Sequence, residues 1–237
     1  MRQKKVLVIG IGEIGSALVE LEKEADNLVE TLDVDHFPQV LYYDVTHVCI
    51  PYSEKFVKTV NDYLSVYPSK LVIVHSTVKV GTCEKLKGSH FIVHSPVMGK
   101  HPHIKTSLLT FPKFVGGSAD ACLKAKKHFK FIGVHAQQLG DYRTTELAKL
   151  LSTSFYGWML SFMDRADKLC EQYGIDYDAV VTEWTKAYNK GNKKMGANNY
   201  TRPLLTSPKG HIGGHCVIPN ARLLDDEVIK NEIIQYE

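Results

Sequence analysis

Residues 4–24 read KKVLVIGIGEIGSALVELEKE: an apolar run, a glycine turn and an amphipathic segment in direct succession. The run Val6–Ile9, bounded by lysines and a glycine, has the length and β-branched content of a buried strand. Gly10, Gly12 and Gly15 fit G-x-G-x-x-G. The first glycine permits the tight turn, and the second lets a pyrophosphate approach the backbone. The third lets the following helix pack closely on the strand. The helix N-terminus then presents unbonded N–H groups to the phosphate. VETLDVD (29–35) places Asp33 at the end of a second strand, 18 residues past Gly15, where a carboxylate accepts both ribose hydroxyls. The same charge repels a 2′-phosphate, so the expected cofactor is NAD rather than NADP.

The pattern continues outward. THVCIP (46–51), KLVIVHS (70–76), HFIVHS (90–95), KFVGGS (113–118) and residues 133–138 read as strands, with helices over 53–67, 81–86 and 119–130. Such alternation implies an α/β fold with a Rossmann-like, doubly wound parallel sheet. From residue 141 the period changes. Leu147, Leu150, Leu151, Phe155, Trp158 and Phe162 recur at helical spacing in one long central helix that Gly174 closes. DYDAVVTEWTKAYNK (176–190) reads as another helix, 191–216 as a loop, and a last helix starts just after Cys216 or Pro219. The expected domains are a dinucleotide-binding domain over 1–140 and an all-helical dimerisation and substrate domain over 141–237.

Composition excludes several classes. The net charge of +3, from 29 basic and 26 acidic residues, is too small to recruit nucleic acid or an anionic membrane. No apolar run reaches membrane-span length, and the first strand begins too early for a signal peptide. Cysteines at 49, 83, 122, 170 and 216 form no C-x-x-C pair, which favours a reducing compartment over a disulfide framework. A cytoplasmic protein is expected. His75, His94, His101, His103, His211 and His215 fall at strand ends or in loops, but without a metal-ligand spacing, so no metal is assigned.

Three separated stretches carry a family resemblance. HSTVKVGT (75–82), TELAKLL (145–151) followed by SFMDRADKLCEQYGID (161–176), and GGHCVIPN (213–220) resemble, in order and rough spacing, segments of the UDP-glucose/GDP-mannose dehydrogenases. The likeness covers residues 1 to about 225. Members of that family continue into a second nucleotide-binding-like domain, so the resemblance implies a shortened member without the domain that grips the nucleotide sugar.

The resemblance implies a chemistry and a set of roles. Cys216 would be the nucleophile that attacks an aldehyde carbon and forms a thiohemiacetal, later a thioester. Lys149 would stabilise the oxyanion, and Thr77 would position water or the substrate hydroxyl. The cofactor set would be Gly10, Gly12, Glu13, Ile14 and Gly15, with Asp33, Pro51, Ser76 and Thr77. Departures are equally specific. The two family carboxylates after HSP are Val97 and His101, and His101 would take over the base role because imidazole titrates near neutrality. The lysine's asparagine partner is Thr153, the aspartate after the cysteine is Asn220, and a helix N-E pair is Asp164 and Arg165. The expected function is therefore an NAD-dependent dehydrogenase acting on a sugar nucleotide or related small substrate. Two alternatives remain: a catalytically reduced NAD-binding sensor or subunit, and a one-step dehydrogenase of another Rossmann family. The apolar load on helix 143–173 predicts a homodimer.

Overall fold

The computed structural model describes residues 3–40, 42–89, 91–99, 102–214 and 216–237. The chain divides into two compact units, residues 1–149 and 150–237. The expected boundary near residue 140 falls at the start of the long helix, whereas the contact boundary falls inside it.

The first unit is built on one seven-stranded sheet in the order β2-β1-β3-β4-β5-β6-β7. The strands are β1 (Lys5–Ile9), β2 (Leu28–Leu32), β3 (Tyr43–Val48), β4 (Ser69–Val74), β5 (Phe91–His94), β6 (Lys113–Gly117) and β7 (Ala136–Gln138). Helices α1 (Glu13–Glu24), α2 (Phe56–Val66), α3 (Ile104–Thr110) and α4 (Ala119–Phe131) flank it. Alternate side chains point to opposite faces of a strand, and both faces are covered. Val6 and Val8 join Val45, Leu71 and Ile73 in a core with Leu18 of α1 and Phe129 of α4. Leu7 and Ile9 join Val48, Val72 and Val74 in a core with Phe56, Val60 and Leu64 of α2. This two-sided burial explains why the strands read as unbroken apolar runs.

The doubly wound sheet is parallel as expected except at one pair of strands. β6 runs antiparallel to β5, with Val93 opposite Gly117 and His94 opposite Gly116, and β7 is parallel to β6. The link from β5 to β6 carries only the seven-residue α3. The chain thus re-enters the sheet at the edge it left, where an antiparallel neighbour needs no crossover.

The second unit contains most of α5 (Tyr142–Tyr173), a π-helical stretch over Asp178–Glu183, α6 (Trp184–Lys194), α7 (Val217–Ala221) and α8 (Glu227–Ile234). Its core gathers Ile212, Val217, Ile218, Ala221, Ile233 and Tyr236. A Cβ on Gly157 would stand 2.6 Å from Val217 Cγ1 and 3.1 Å from Ile233 Cγ2, so glycine sets the close approach of α7 and α8 to α5. The buried face of α5 is Leu150, Ser154, Gly157, Ser161, Asp164, Asp167 and Cys170, while Phe155 and Phe162 are 66% and 63% exposed. Of the apolar positions that periodicity singled out, Leu150 is buried, whereas Leu147, Leu151, Phe155, Trp158 and Phe162 are exposed. Close helix packing selects small residues for the inner face.

Candidate active site

The carboxyl edge of the parallel strands collects the first unit's candidate residues. Gly10 sits at φ +87°, the left-handed region that favours glycine. A Cβ on Gly15 would lie 1.9 Å from Gly10 O, whereas the space around a Cβ on Gly12 is open. The turn is thus closed on its helix side and open where Gly12 caps α1, the arrangement a pyrophosphate needs. Glu13 is exposed and Ile14 half-buried in the first turn of α1.

Asp33 stands just past β2. Its Oδ2 accepts from Ile11 N at 2.9 Å and its Oδ1 from Val34 N at 2.8 Å. Those two bonds lower its pKa, so it is a fixed carboxylate. It lines a cavity of about 320 Å³ with Ile11, Thr31, Val34, Asp35 and His36. A larger cavity, about 740 Å³, lies at the opposite, amino edge of the strands among Lys4, Asp44, Ser69 and Phe91. Ile11 of the glycine turn and the Asp33 carboxylate both line the smaller one.

The loop after β4 carries Ser76 and Thr77. Ser76 Oγ donates to Ile50 O at 2.6 Å, beside the exposed Pro51, and Thr77 is half-buried. Helix α5 holds this loop through a residue that the sequence reading passed over. The fully buried Glu146 accepts from Gly81 N at 2.6 Å and from Cys83 N at 2.8 Å. Burial raises its pKa against the lowering by those bonds. One turn on, Lys149 is half-buried and its Nζ donates to Val97 O at 2.9 Å. Glu146 and Lys149 thus reach from one helix to the loops after β4 and β5. The only local trace of Glu146's role is its place in the TELAK stretch, three residues before the lysine.

Cys216 lies in the second unit, at the N-cap of α7, as a half-buried thiol. Gly214, two residues before it, has φ +92°. The two departures Thr153 and Asn220 face each other, with Asn220 Nδ2 donating to Thr153 Oγ1 at 3.3 Å. Asp164 and Arg165 serve the unit internally. Asp164 Oδ1 accepts from Gly210 N at 2.7 Å, and Arg165 Nε donates to Glu232 Oε1 at 2.9 Å. His101, the expected base, and His215 lie outside the described residues.

Two of the loop histidines are interior groups. His94 donates through Nε2 to Ser76 O at 3.1 Å and accepts at Nδ1 from Thr145 Oγ1 at 2.8 Å. Burial pulls its pKa down to about 3. His75 is likewise buried and lowered, first by burial and then by Lys113. Neither is open to a ligand.

No family model matches the chain. It is 25% identical over 189 residues to the UDP-N-acetyl-D-mannosamine dehydrogenase of Pyrococcus horikoshii, covering 74% of this chain and 41% of that protein. An NDP-N-acetyl-D-galactosaminuronic acid dehydrogenase of Ralstonia nicotianae is 21% identical, covering 62% and 36%. Its homologues are nucleotide-sugar dehydrogenases. They are named dehydrogenases, and the chain spans about two fifths of their length. Among solved structures, the UDP-D-ManNAc dehydrogenase of P. horikoshii superposes with a TM-score of 0.75 at 17% identity, covering 97% of this chain and 68% of that one. The 3-hydroxyisobutyrate dehydrogenase of Mycobacterium tuberculosis gives 0.74 at 16%, covering 98% and 92%. At these identities the structural likeness shows the dehydrogenase fold. No helix among the described residues is long and apolar enough to cross a membrane.

Proposed function

We propose that the chain is an NAD-dependent dehydrogenase of the nucleotide-sugar type, oxidising an alcohol or aldehyde carbon of a sugar nucleotide or related small substrate. The observation that carries this reading is the paired hold of Glu146 on the loop bearing Thr77 and of Lys149 on Val97. It fixes the loops that flank the glycine turn's edge of the sheet, in a chain whose homologues are nucleotide-sugar dehydrogenases. The residues present fit NAD: Gly10 and Gly15 shape the turn, Gly12 leaves it open, and Asp33 offers a preset carboxylate. When bound, NAD supplies the hydride acceptor. Thr77 orients the substrate hydroxyl or a water. Cys216 supplies the nucleophile, its sulfur bonding to an aldehyde carbon as the carbonyl electron pair moves to oxygen. Lys149 supplies positive charge for such an oxyanion. His101 takes the base role that Val97 cannot fill, activating water against the thioester. The protein works in the cytoplasm as a homodimer.

The test is turnover of NAD with candidate sugar nucleotides and smaller polyols, followed by absorbance and intact mass. NADH formation that Cys216→Ser abolishes, together with a mass adduct on the wild-type thiol, supports the reading. NADH without any role for Cys216 supports instead a one-step dehydrogenase. Cofactor binding without turnover of any candidate supports the reduced, NAD-binding reading, which the replacement of the family carboxylate by Val97 favours.

A further inference from the structure

Between the sheet and helices α1 and α4, five titratable side chains occupy positions where strand parity and helix periodicity place apolar ones. Glu22, His47, His75, Lys113 and His128 are each at most 2% exposed. Apolar residues of similar volume would pack there with less desolvation, so packing gives no reason for them.

Their hydrogen bonds form one directed chain. Lys113 Nζ meets three acceptors: Ser95 O, Pro96 O at 2.9 Å and His75 Nδ1 at 3.1 Å. With Lys113 as an ammonium, its three N–H donors leave His75 Nδ1 bare and put that ring's proton on Nε2. That nitrogen lies 2.9 Å from His47 Nδ1, and His47 Nε2 lies 2.9 Å from Glu22 Oε1. From the other side Lys4 Nζ is 3.0 Å from His128 Nδ1, and His128 Nε2 is 2.7 Å from Glu22 Oε1. Asn27 Nδ2 donates to Glu22 Oε2 at 2.6 Å. In this arrangement Lys113 is positive and Glu22 negative; burial lowers the pKa of Lys113 well below that of a free lysine, which brings the neutral amine within reach.

A second arrangement satisfies the same atoms. The proton leaves Lys113 for His75 Nδ1, the His75 Nε2 proton passes to His47 Nδ1, and the His47 Nε2 proton passes to Glu22 Oε1. Three N–H bonds break, while two N–H bonds and one O–H bond form. Lys113 becomes an amine whose lone pair accepts from His75, and Glu22 becomes a neutral acid. No heavy atom moves. Other charged or titratable groups facing the chain are Cys49, His94 and Lys149 near Lys113 and His75, and Asp44 near Lys4.

The two ends reach different surfaces. Lys4 and His128 line the 740 Å³ cavity at the amino edge of the strands. Lys113 grips the carbonyls of Ser95 and Pro96, and the next carbonyl, Val97 O, holds Lys149. Glu22, His47 and His128 also have the spacing of metal ligands. However, the Lys4 ammonium donates to His128 Nδ1 and so keeps a proton on Nε2, the atom a metal would need.

We propose that Glu22, His47, His75 and Lys113 form a buried proton relay that sets the charge on Lys113, and thereby the hold on the Ser95–Val97 segment that positions Lys149. The importance of Lys149 rests on the dehydrogenase reading; the relay itself does not. The test is the tautomer of each histidine, read by ¹⁵N NMR on the full chain without cofactor or substrate. In the wild type His47, His75 and His128 all carry the proton on Nε2. In Glu22→Gln the lost counter-charge makes Lys113 shed its proton, and His47 and His75 both switch to Nδ1–H. A structural role for Glu22 would leave His75 unmoved, since the two are joined only through His47. If that variant fails to fold, Lys113→Met reads the coupling from the other end, with the Glu22 carboxyl resonance shifting to the protonated position. Mixed tautomers in the wild type, an unmoved His75 in Glu22→Gln, or an unmoved Glu22 in Lys113→Met overturns the relay. So does stoichiometric zinc that shifts His47 and His128 together. Failure of the chain to bind NADH would sink the dehydrogenase reading and leave the relay standing.

Discussion

Asp33 Oδ2 accepts a hydrogen bond from Ile11 N at 2.9 Å, which ties the acid after β2 to the glycine turn before α1. The carboxylate is therefore oriented before any ligand arrives. An oriented charge needs less ordering on binding than a free side chain. NADH is expected to bind at least tenfold more tightly than NADPH, measured by fluorescence titration. Asp33→Asn should weaken NADH by about tenfold, in line with the ~1.5–3 kcal/mol that hydrogen bonds to charged groups contribute, and should narrow the preference. Equal affinity for both cofactors in the wild type would contradict the assignment.

Glu146 joins two otherwise unsatisfied backbone donors, Gly81 N and Cys83 N, inside the first unit. Glu146→Ala leaves both without their acceptor, at a cost of about 3 kcal/mol. The expected result is a lower midpoint in urea with an unchanged slope, together with weaker turnover through the displaced Thr77 loop. Wild-type stability in the variant would remove Glu146 from the account.

Acid sensitivity follows from the interior histidines. Burial lowers the pKa of His75, His94 and His128 in the folded chain, His94 to about 3. In the unfolded chain each returns to about 6.5. Below that pH the unfolded state binds more protons, so stability falls as pH falls, by about 1.4 kcal/mol per pH unit for each histidine that stays neutral. Glu22 adds the same sign below about pH 4.3. Burial alone would raise it, but hydrogen bonds from His128 and His47 outweigh that and hold it low. Melting temperatures at pH 7.5, 6.5 and 5.5 should decline in that order, and a rise on acidification would contradict the burial of these rings.

Thiol reactivity separates Cys216 from Cys49, Cys83 and Cys122. Burial raises Cys49 to about 12, and it also raises Cys83 and Cys122, so their thiolates are scarce at neutral pH. Cys216, half-buried beside Gly214, should be alkylated before these three. Peptide mapping after brief iodoacetamide treatment checks the order, and earlier labelling of Cys83 or Cys122 would overturn it.

The outward face of α5 carries Phe155, Trp158 and Phe162, all exposed. An apolar stripe of this kind marks an interface. Sedimentation should show a dimer that Phe155→Asp with Phe162→Asp converts to monomer. A concentration-independent wild-type monomer would rule out the homodimer.

The sheet-bearing half was legible because its signals are local. Strand, glycine turn and helix stand within residues 4–24, and the turn's geometry depends on residues five positions apart, Gly10 and Gly15. Alternating strands and helices told the layer architecture for the same reason, since each element's period is written in its own residues. Lys149, Thr77 and Cys216 stood out through short motifs.

Tertiary structure decided the rest, because the deciding contacts join residues far apart in the chain. β6 turns antiparallel through pairing with β5, which no residue of KFVGG announces. Periodicity marked an apolar stripe on α5 but not its direction: Gly157 admits Val217 and Ile233 to the opposite face, sixty or more residues on, and the aromatic side turns outward. Glu146 became a loop anchor only when Gly81 and Cys83 came within reach. His47 and His75, alone on separate strands, became links in one proton chain only when parallel pairing set β3 beside β4 and packing brought Glu22 and Lys113 to its ends.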